Sequence, residues 1–224
     1  NSYNSTAYPG LSSSGDPNQT LTVADQLSLG IREIEYDVHW FTHTASGGNA
    51  PVLCHARGAS QQHLGCGATD RHLRDGLAEI KAFLDNPAHA NEVVMLDIEN
   101  NLADFVFPNG STANDAAHTT VAQLINTSLG SYLYTPQLYE PQQAGNCQNL
   151  PLNISRADIL ASGKRLIIVS NCGTNAAWRN IIFNFSPLKQ QANSGFTAAP
   201  NCQSADFSAE DYATKWVRLW EDNT

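Results

Sequence analysis

Positive charge is scarce in this chain. Its 224 residues hold 12 Lys and Arg against 21 Asp and Glu, a formal net charge of −9. The basic residues are scattered, which excludes nucleic acid as a partner, because phosphate backbones are held by clustered Lys and Arg. The same shortage leaves at most a transient contact with an anionic membrane surface. No apolar run approaches the ~20 residues that cross a bilayer, no targeting segment is visible, and there is no internal repeat or low-complexity tract. Methionine occurs once, as Met95, and lysine rarely, while Ser, Thr and Asn are abundant, a balance that suits an extracellular protein. The length fits one domain, 1–224, with a substantial core, and a monomer is expected.

What is present concentrates in Ile34-Glu35-Tyr36-Asp37-Val38-His39-Trp40. A β-strand sends residues i, i+2 and i+4 to one face, so Glu35, Asp37 and His39 would stand side by side. Acids on the interior side of so apolar a strand cost several kcal/mol each unless neutralised, and a bound cation is the usual solution. Pro51 to His55 repeats the arrangement as a short apolar run ending on a histidine, and Glu92 to Asn100 ends on Asp97 and Glu99, again spaced i, i+2. Helices are predicted over Val23 to Leu29, ended by Gly30, and over Leu73 to Leu84, Ala116 to Leu129 and Arg156 to Ala161. Further strands are predicted at Arg165 to Ser170 and Val217 to Trp220. Alternating strands and helices imply a parallel sheet covered by helices. In a closed (β/α) barrel of that type, residues at strand C-terminal ends converge on one mouth.

Asn1-Ser2-Tyr3-Asn4, Asp16-Pro17-Asn18, Asp25-Gln26-Leu27, Glu35-Tyr36-Asp37, Cys54-His55 and Leu96 to Asn100 resemble, in that order, the X-region of phosphatidylinositol-specific phospholipase C. The resemblance implies a TIM-type α/β barrel of the phospholipase C-like phosphodiesterase superfamily. The family opens on His-Asn-Ser/Thr-Tyr, and this chain starts at the Asn, so the first catalytic histidine is expected immediately upstream. A complete barrel of this kind needs ~250 residues, and at most six strands can be counted, so the natural protein is expected to be longer at both ends.

The calcium-dependent branch of the family implies Asn1, Glu35, Asp37 and Glu99 as metal ligands. Oxygen donors of this kind suit calcium, with magnesium second, rather than zinc. His55 would be the second catalytic histidine, protonating the leaving alcohol. His39 matches the place of an arginine in metal-independent bacterial relatives and would be an auxiliary phosphate or metal contact. Asp97 is a candidate ligand or orienter, Arg57 a candidate phosphate contact, and Trp40 either a lipid contact at the mouth or, as the more ordinary role, a side chain packed under the neighbouring loop. The remaining histidines, His43, His63, His72, His89 and His118, lack ligand spacing and are expected at the surface. The loop from Ser5 to Gln19 is a candidate lid.

Sequons at Asn4, Asn18, Asn109, Asn126, Asn153 and Asn184 point to secretion and glycosylation. Cys54 and Cys66 flank a short loop beside His55, where a disulfide would brace the segment carrying it. Cys147, Cys172 and Cys202 remain, an odd number. The expected activity is therefore that of a secreted, calcium-dependent phosphodiesterase acting on a phosphodiester lipid or its head group. Animal relatives place lysines near Ser170-Asn171-Cys172, where this chain has none, so the alcohol of the substrate stays open. Glycerophosphodiester phosphodiesterases and sphingomyelinase D-like enzymes share the Glu-x-Asp and strand-end His but open on His-Arg-Gly. A non-catalytic secreted binding protein on the same barrel is the alternative outside enzymes.

Overall fold

A computed structural model describes residues 3, 5–8, 19–55, 66–102, 114–139, 147–151, 153–172, 176–185, 188–192 and 216–220. The first helix, α1 (Val23–Ser28), begins at Thr22, whose Oγ1 accepts the Asp25 N–H at 3.0 Å while the Asp25 carboxylate accepts the Thr22 N–H at 3.2 Å. This reciprocal cap satisfies two of the amides that a helix start leaves open. Gly30, at φ 99°, turns the chain into β1 (Glu33–His43). Only a residue without a Cβ adopts that angle at no cost.

A 3₁₀ turn over Thr44–Ser46 and Gly47, at φ 67°, fold β1 back onto β2 (Gly48–Leu53), which pairs antiparallel with it. A parallel pair would need a crossover of a dozen or more residues, and this connection is far too short. Gly47-Gly48 was the available sign of the hairpin. The chain continues through β3 (Arg71–His72), α2 (Leu73–Asp85), β4 (Val94–Asn101), α3 (Asn114–Leu129), α4 (Pro136–Tyr139), α5 (Arg156–Ala161), β5 (Leu166–Ser170) and β6 (Phe183–Asn184). One six-stranded sheet results, in the order β3-β2-β1-β4-β5-β6, with β1, β4, β5 and β6 parallel. Two further strands, β7 (Leu188–Ala192) and β8 (Trp216–Trp220), pair parallel as a separate sheet.

Among the described residues the expected closed barrel is not formed. The sheet is open, because the β2–β3 hairpin occupies the free edge of β1 and β6 ends the other side. The mixed α/β architecture, the parallel core and the helices of the sequence reading are present.

The main core lies on one face of the sheet. Ile34, Tyr36 and Val38 of β1, Leu96 and Ile98 of β4 and Ile168 of β5 are fully buried there with Val23 and Leu27 of α1, Leu73, Leu77, Ile80 and Leu84 of α2, and Val121 and Ile125 of α3. The closest helix contact is at Gly76. A Cβ there would lie 2.7 Å from Leu53 Cδ1 and 3.0 Å from the Tyr36 ring, and the Tyr36 hydroxyl donates to the Gly76 carbonyl at 3.0 Å.

The N-terminal segment is tied to this helical layer. Tyr8 donates its hydroxyl proton to Glu79 of α2 at 2.8 Å and accepts the Val23 N–H of α1 at 2.6 Å. Arg71 lies over the Tyr8 ring at 3.9 Å and pairs with Glu79 at 2.5 Å. Ser5 bridges Gln19, with the Thr6 N–H on the Gln19 carbonyl at 3.1 Å. The expected lid between these ends falls, over 9–18, outside the described residues.

Gly76→Ala tests the helix–sheet contact. In an open helix the change is favourable by ~0.5–1 kcal/mol. Here Leu53 and Tyr36 are buried and Tyr36 is tethered, so overpacking of about 1–3 kcal/mol dominates. Urea unfolding should show a lowered midpoint at an unchanged slope.

Candidate functional site

The register of β1 against β4 builds the site. Glu35 stands opposite Asp97, Asp37 opposite Glu99 and His39 opposite Asn101. Facing residues on neighbouring strands share a face, so all six turn away from the main core. The carboxylate oxygens of Glu35, Asp37 and Glu99 lie within 4.8 Å of one another. Two oxygens bound at ~2.3–2.6 Å to one calcium ion are at most ~4.6–5.2 Å apart, so the three fit a shared ion.

Their environments are unequal. Asp37 is only 2% exposed, Glu35 is half-buried and Glu99 reaches solvent. Burial first, then the Glu99 and Glu35 charges, hold the Asp37 carboxyl well above the usual carboxylate range. Asp37 Oδ1 and the Tyr3 hydroxyl are both buried without a hydrogen-bond partner. Tyr3 packs edge-on against Tyr36, with ring centroids 5.9 Å apart, and burial followed by the Asp37, Glu99 and Glu35 charges pushes its phenol up. A buried acid beside two others, with one oxygen unsatisfied, is an arrangement a cation would relieve. The donor set is hard oxygen, which suits calcium or magnesium.

A second group, His39 with Cys54 and Cys66, has ligand atoms equally close together. Its sulfurs are joined in a disulfide, as expected, with Cα atoms 5.3 Å apart, and a disulfide is not a thiolate ligand. The proximity shows instead that buried His39 lies against the disulfide. The Cys54 N–H still reaches the Asp37 carbonyl at 3.4 Å, so His55, next in the chain and half-buried, follows directly from the strand beside Asp37.

Asp97 is buried on the same face, one position nearer the strand's start, and is not one of the three clustered acids. Trp40 lies on the opposite face, packed against the main core, so the expected contact at the mouth is replaced by a packing role. Asn1, Arg57, His63 and the sequons Asn4, Asn18 and Asn109 lie outside the described residues. Asn126 and Asn153 are exposed, while Asn184, in β6, donates its side-chain amide to Asn149 at 3.0 Å.

Three histidines expected at the surface are buried. His43 and His72 pack edge to face at 5.5 Å, and His72 Nδ1 accepts the Arg74 N–H at 2.9 Å, capping α2. His118 is buried in α3 against Trp178. Their lack of ligand spacing said nothing about burial, since each serves as a local hydrogen-bonding or ring-packing group. The sequence reading also passed over Asn101, whose amide reaches Glu99 at 3.5 Å. A second disulfide, Cys147–Cys172, ties the end of β5 to the segment before Asn149. Cys202 lies outside the described residues.

Two cavities among the described residues, of about 380 and 360 Å³, lie between α1 and α2 and at the N-terminal end of the sheet, near Arg32, Met95 and Ile167, away from the clustered acids. The distinguishing feature is the register that sets Asp37 of β1 opposite Glu99, near the C-terminal end of β4.

Comparison with known proteins gives the same direction. The family described as the Rv2075c PI-PLC-like domain matches residues 1–224. Two relatives from Mycobacterium tuberculosis, uncharacterized protein Rv2075c of strain ATCC 25618 / H37Rv and uncharacterized protein MT2135 of strain CDC 1551 / Oshkosh, are each 32% identical over 231 residues. The match covers 100% of this chain and 45% of each relative, so the chain spans about half their length. No solved structure matches it.

The raised Asp37 carboxyl sets a pH dependence. A folded-state value above the unfolded one favours folding while the group is protonated, and that contribution is lost as pH rises from the ordinary carboxylate range through the folded value. In EDTA, Asp37→Asn should therefore raise the melting temperature relative to the parent, by more at pH 7 than at pH 4. Added calcium should raise the melting temperature of the parent and leave the variant unmoved. Thermal unfolding at the two pH values, with EDTA and with calcium, measures both.

Proposed function

The chain belongs to the Rv2075c PI-PLC-like domain family, and from that membership we propose that it is a secreted, calcium-dependent phosphodiesterase that cleaves a phosphodiester lipid or its head group. The observation that carries this reading is the meeting of Glu35 and Asp37, in the parallel part of β1, with Glu99 near the C-terminal end of β4, and His55 leaving the strand alongside. Glu35, Asp37 and Glu99, with Asn1, would hold the ion. When bound, it would supply positive charge to the phosphoryl oxygens and favour ionisation of the attacking hydroxyl.

The protein's own groups divide the remaining work. His55 donates a proton to the leaving alcohol oxygen as the P–O bond breaks. The attacking oxygen is a neighbouring hydroxyl of the substrate, giving a cyclic phosphate, or water. His39, fixed against the Cys54–Cys66 disulfide, and Arg57 serve as phosphate contacts. The disulfide keeps the strand end that carries His55 beside β1, and the two disulfides together support secretion. Exposed Asn126 and Asn153 are the described sequons best placed for glycosylation. The strand end Ser170-Asn171-Cys172 offers no lysine of the kind animal relatives place there, so the proposed substrate is a phosphodiester whose alcohol is left open.

Two substitutions separate the roles. His55→Ala should slow cleavage of a substrate with an alkyl alcohol leaving group by about 10²–10⁴-fold and spare one with an acidic phenol, because general acid catalysis matters only where the leaving oxygen needs a proton. Glu99→Gln should impair both substrates alike. Steady-state kinetics of the full-length protein on the two substrate types decide it, and equal slowing by His55→Ala would remove the general-acid assignment. A panel of phosphatidylinositol, lysophospholipids, glycerophosphodiesters and sphingomyelin identifies the alcohol.

A further inference from the structure

Glu99 stands where β4 has lost one of its two neighbours. Pairing with β1 continues to His39 opposite Asn101, whereas pairing with β5 stops at Ile98 opposite Ser170. The stretch 99–101 is therefore held by a strand on one side only, and Glu99 reaches solvent, so packing of its own side chain does not fix it. Strand ends of this kind open readily unless another group replaces the missing partner.

The replacement is a side-chain bracket on the reverse face of the sheet. Asn100 Nδ2 donates to the Asn171 carbonyl at 3.4 Å, which carries the β4–β5 connection one step past the backbone ladder. Asn100 Oδ1 accepts the Leu102 N–H at 3.3 Å. His118 Nε2 lies 2.9 Å from Asn100 Nδ2 and 3.1 Å from Oδ1, so the ring can bond the amide as acceptor or as donor according to its tautomer. His118 is itself held, because its carbonyl accepts the Trp178 Nε1–H at 2.9 Å and its ring packs edge-on against the indole at 4.5 Å. His118 and Trp178 are 3% and 0% exposed. The bracket joins α3, the end of β4, the end of β5 and the turn carrying Trp178.

We infer that His118 is a positioning residue for the cation site: by holding the Asn100 amide it fixes the backbone at Glu99 and with it the third carboxylate. The inference rests on reading Glu35, Asp37 and Glu99 as that site. Groups one step removed from metal ligands commonly set affinity in this way. Nothing in the mechanism requires His118 to touch substrate or ion.

Calcium titration by calorimetry, with urea unfolding in EDTA alongside, tests it on the full-length protein. His118→Phe keeps a ring against Trp178 and removes Nε2, and should weaken calcium binding about tenfold or more. His118→Gln returns an amide that can accept from or donate to Asn100 and should restore most of the affinity, although its packing against Trp178 is poorer than that of Phe. Asn100→Ala, at a half-exposed position that tolerates truncation, should reproduce the loss and serves if His118→Phe does not fold. Parental calcium affinity in folded His118→Phe or Asn100→Ala overturns the inference while leaving the cation site intact. So does a loss of affinity that follows the urea midpoint and is not rescued by Gln. A parent that binds no calcium overturns the cation-site reading and this inference with it.

Discussion

Parallel pairing of β1 with β4 sets Asp37 directly opposite Glu99, and adjacent strands lie only about 4.8 Å apart. Like charges facing each other across a sheet are unfavourable, so something else must fix the register. That is the other face of the same strands, where Ile34, Tyr36, Val38, Leu96 and Ile98 are almost wholly buried. Burying a side chain of this size is worth roughly 1.5–3 kcal/mol, and a slip of one residue would turn all of them outward. Together they outweigh the several kcal/mol that a buried, unpaired acid costs. The apolar face thus imposes an arrangement that the acidic face would not adopt unaided.

The two ends of the sheet are stabilised differently. At the N-terminal end, Arg32 meets Glu92 at 3.0 Å and lies over Phe83, and Arg165 donates to the Leu84 and His89 carbonyls. Cations there have partners. Toward the C-terminal end of β4 the acids face one another, and two disulfides, the Asn100 amide and the Ser170 hydroxyl on the Ile98 carbonyl brace the strands beside the Arg71–Glu79 ion pair. This is the division of labour expected when one end of a parallel sheet carries stability and the other carries chemistry.

The acidic site was legible because a strand has period two and Glu35, Asp37, Asp97 and Glu99 obey it. The helices were legible from apolar spacing, and the end of the first from Gly30. The hairpin was missed because Pro51 to Leu53 is as apolar as a parallel core strand, and only Gly47-Gly48 gave the turn. The short strands β3 and β6 carry two residues each, too few for any periodicity. Trp40, of opposite parity to the acids, packs against the main core, the more ordinary of its two expected roles. His43, His72 and His118 were misplaced because burial of a histidine depends on partners distant in sequence, such as Trp178 for His118.

The latch between Tyr8, Glu79 and the first amides of α1 bears on how this fold can diversify. Because Ser5 meets Gln19 and Tyr8 is anchored to both helices, the two ends of the intervening segment are fixed independently of what joins them. Closure entropy grows only with the logarithm of length, about 0.6 kcal/mol for each doubling. A change in the length of chain between the anchors therefore costs little in closure entropy. The length between the anchors can vary without disturbing the helical layer that holds them.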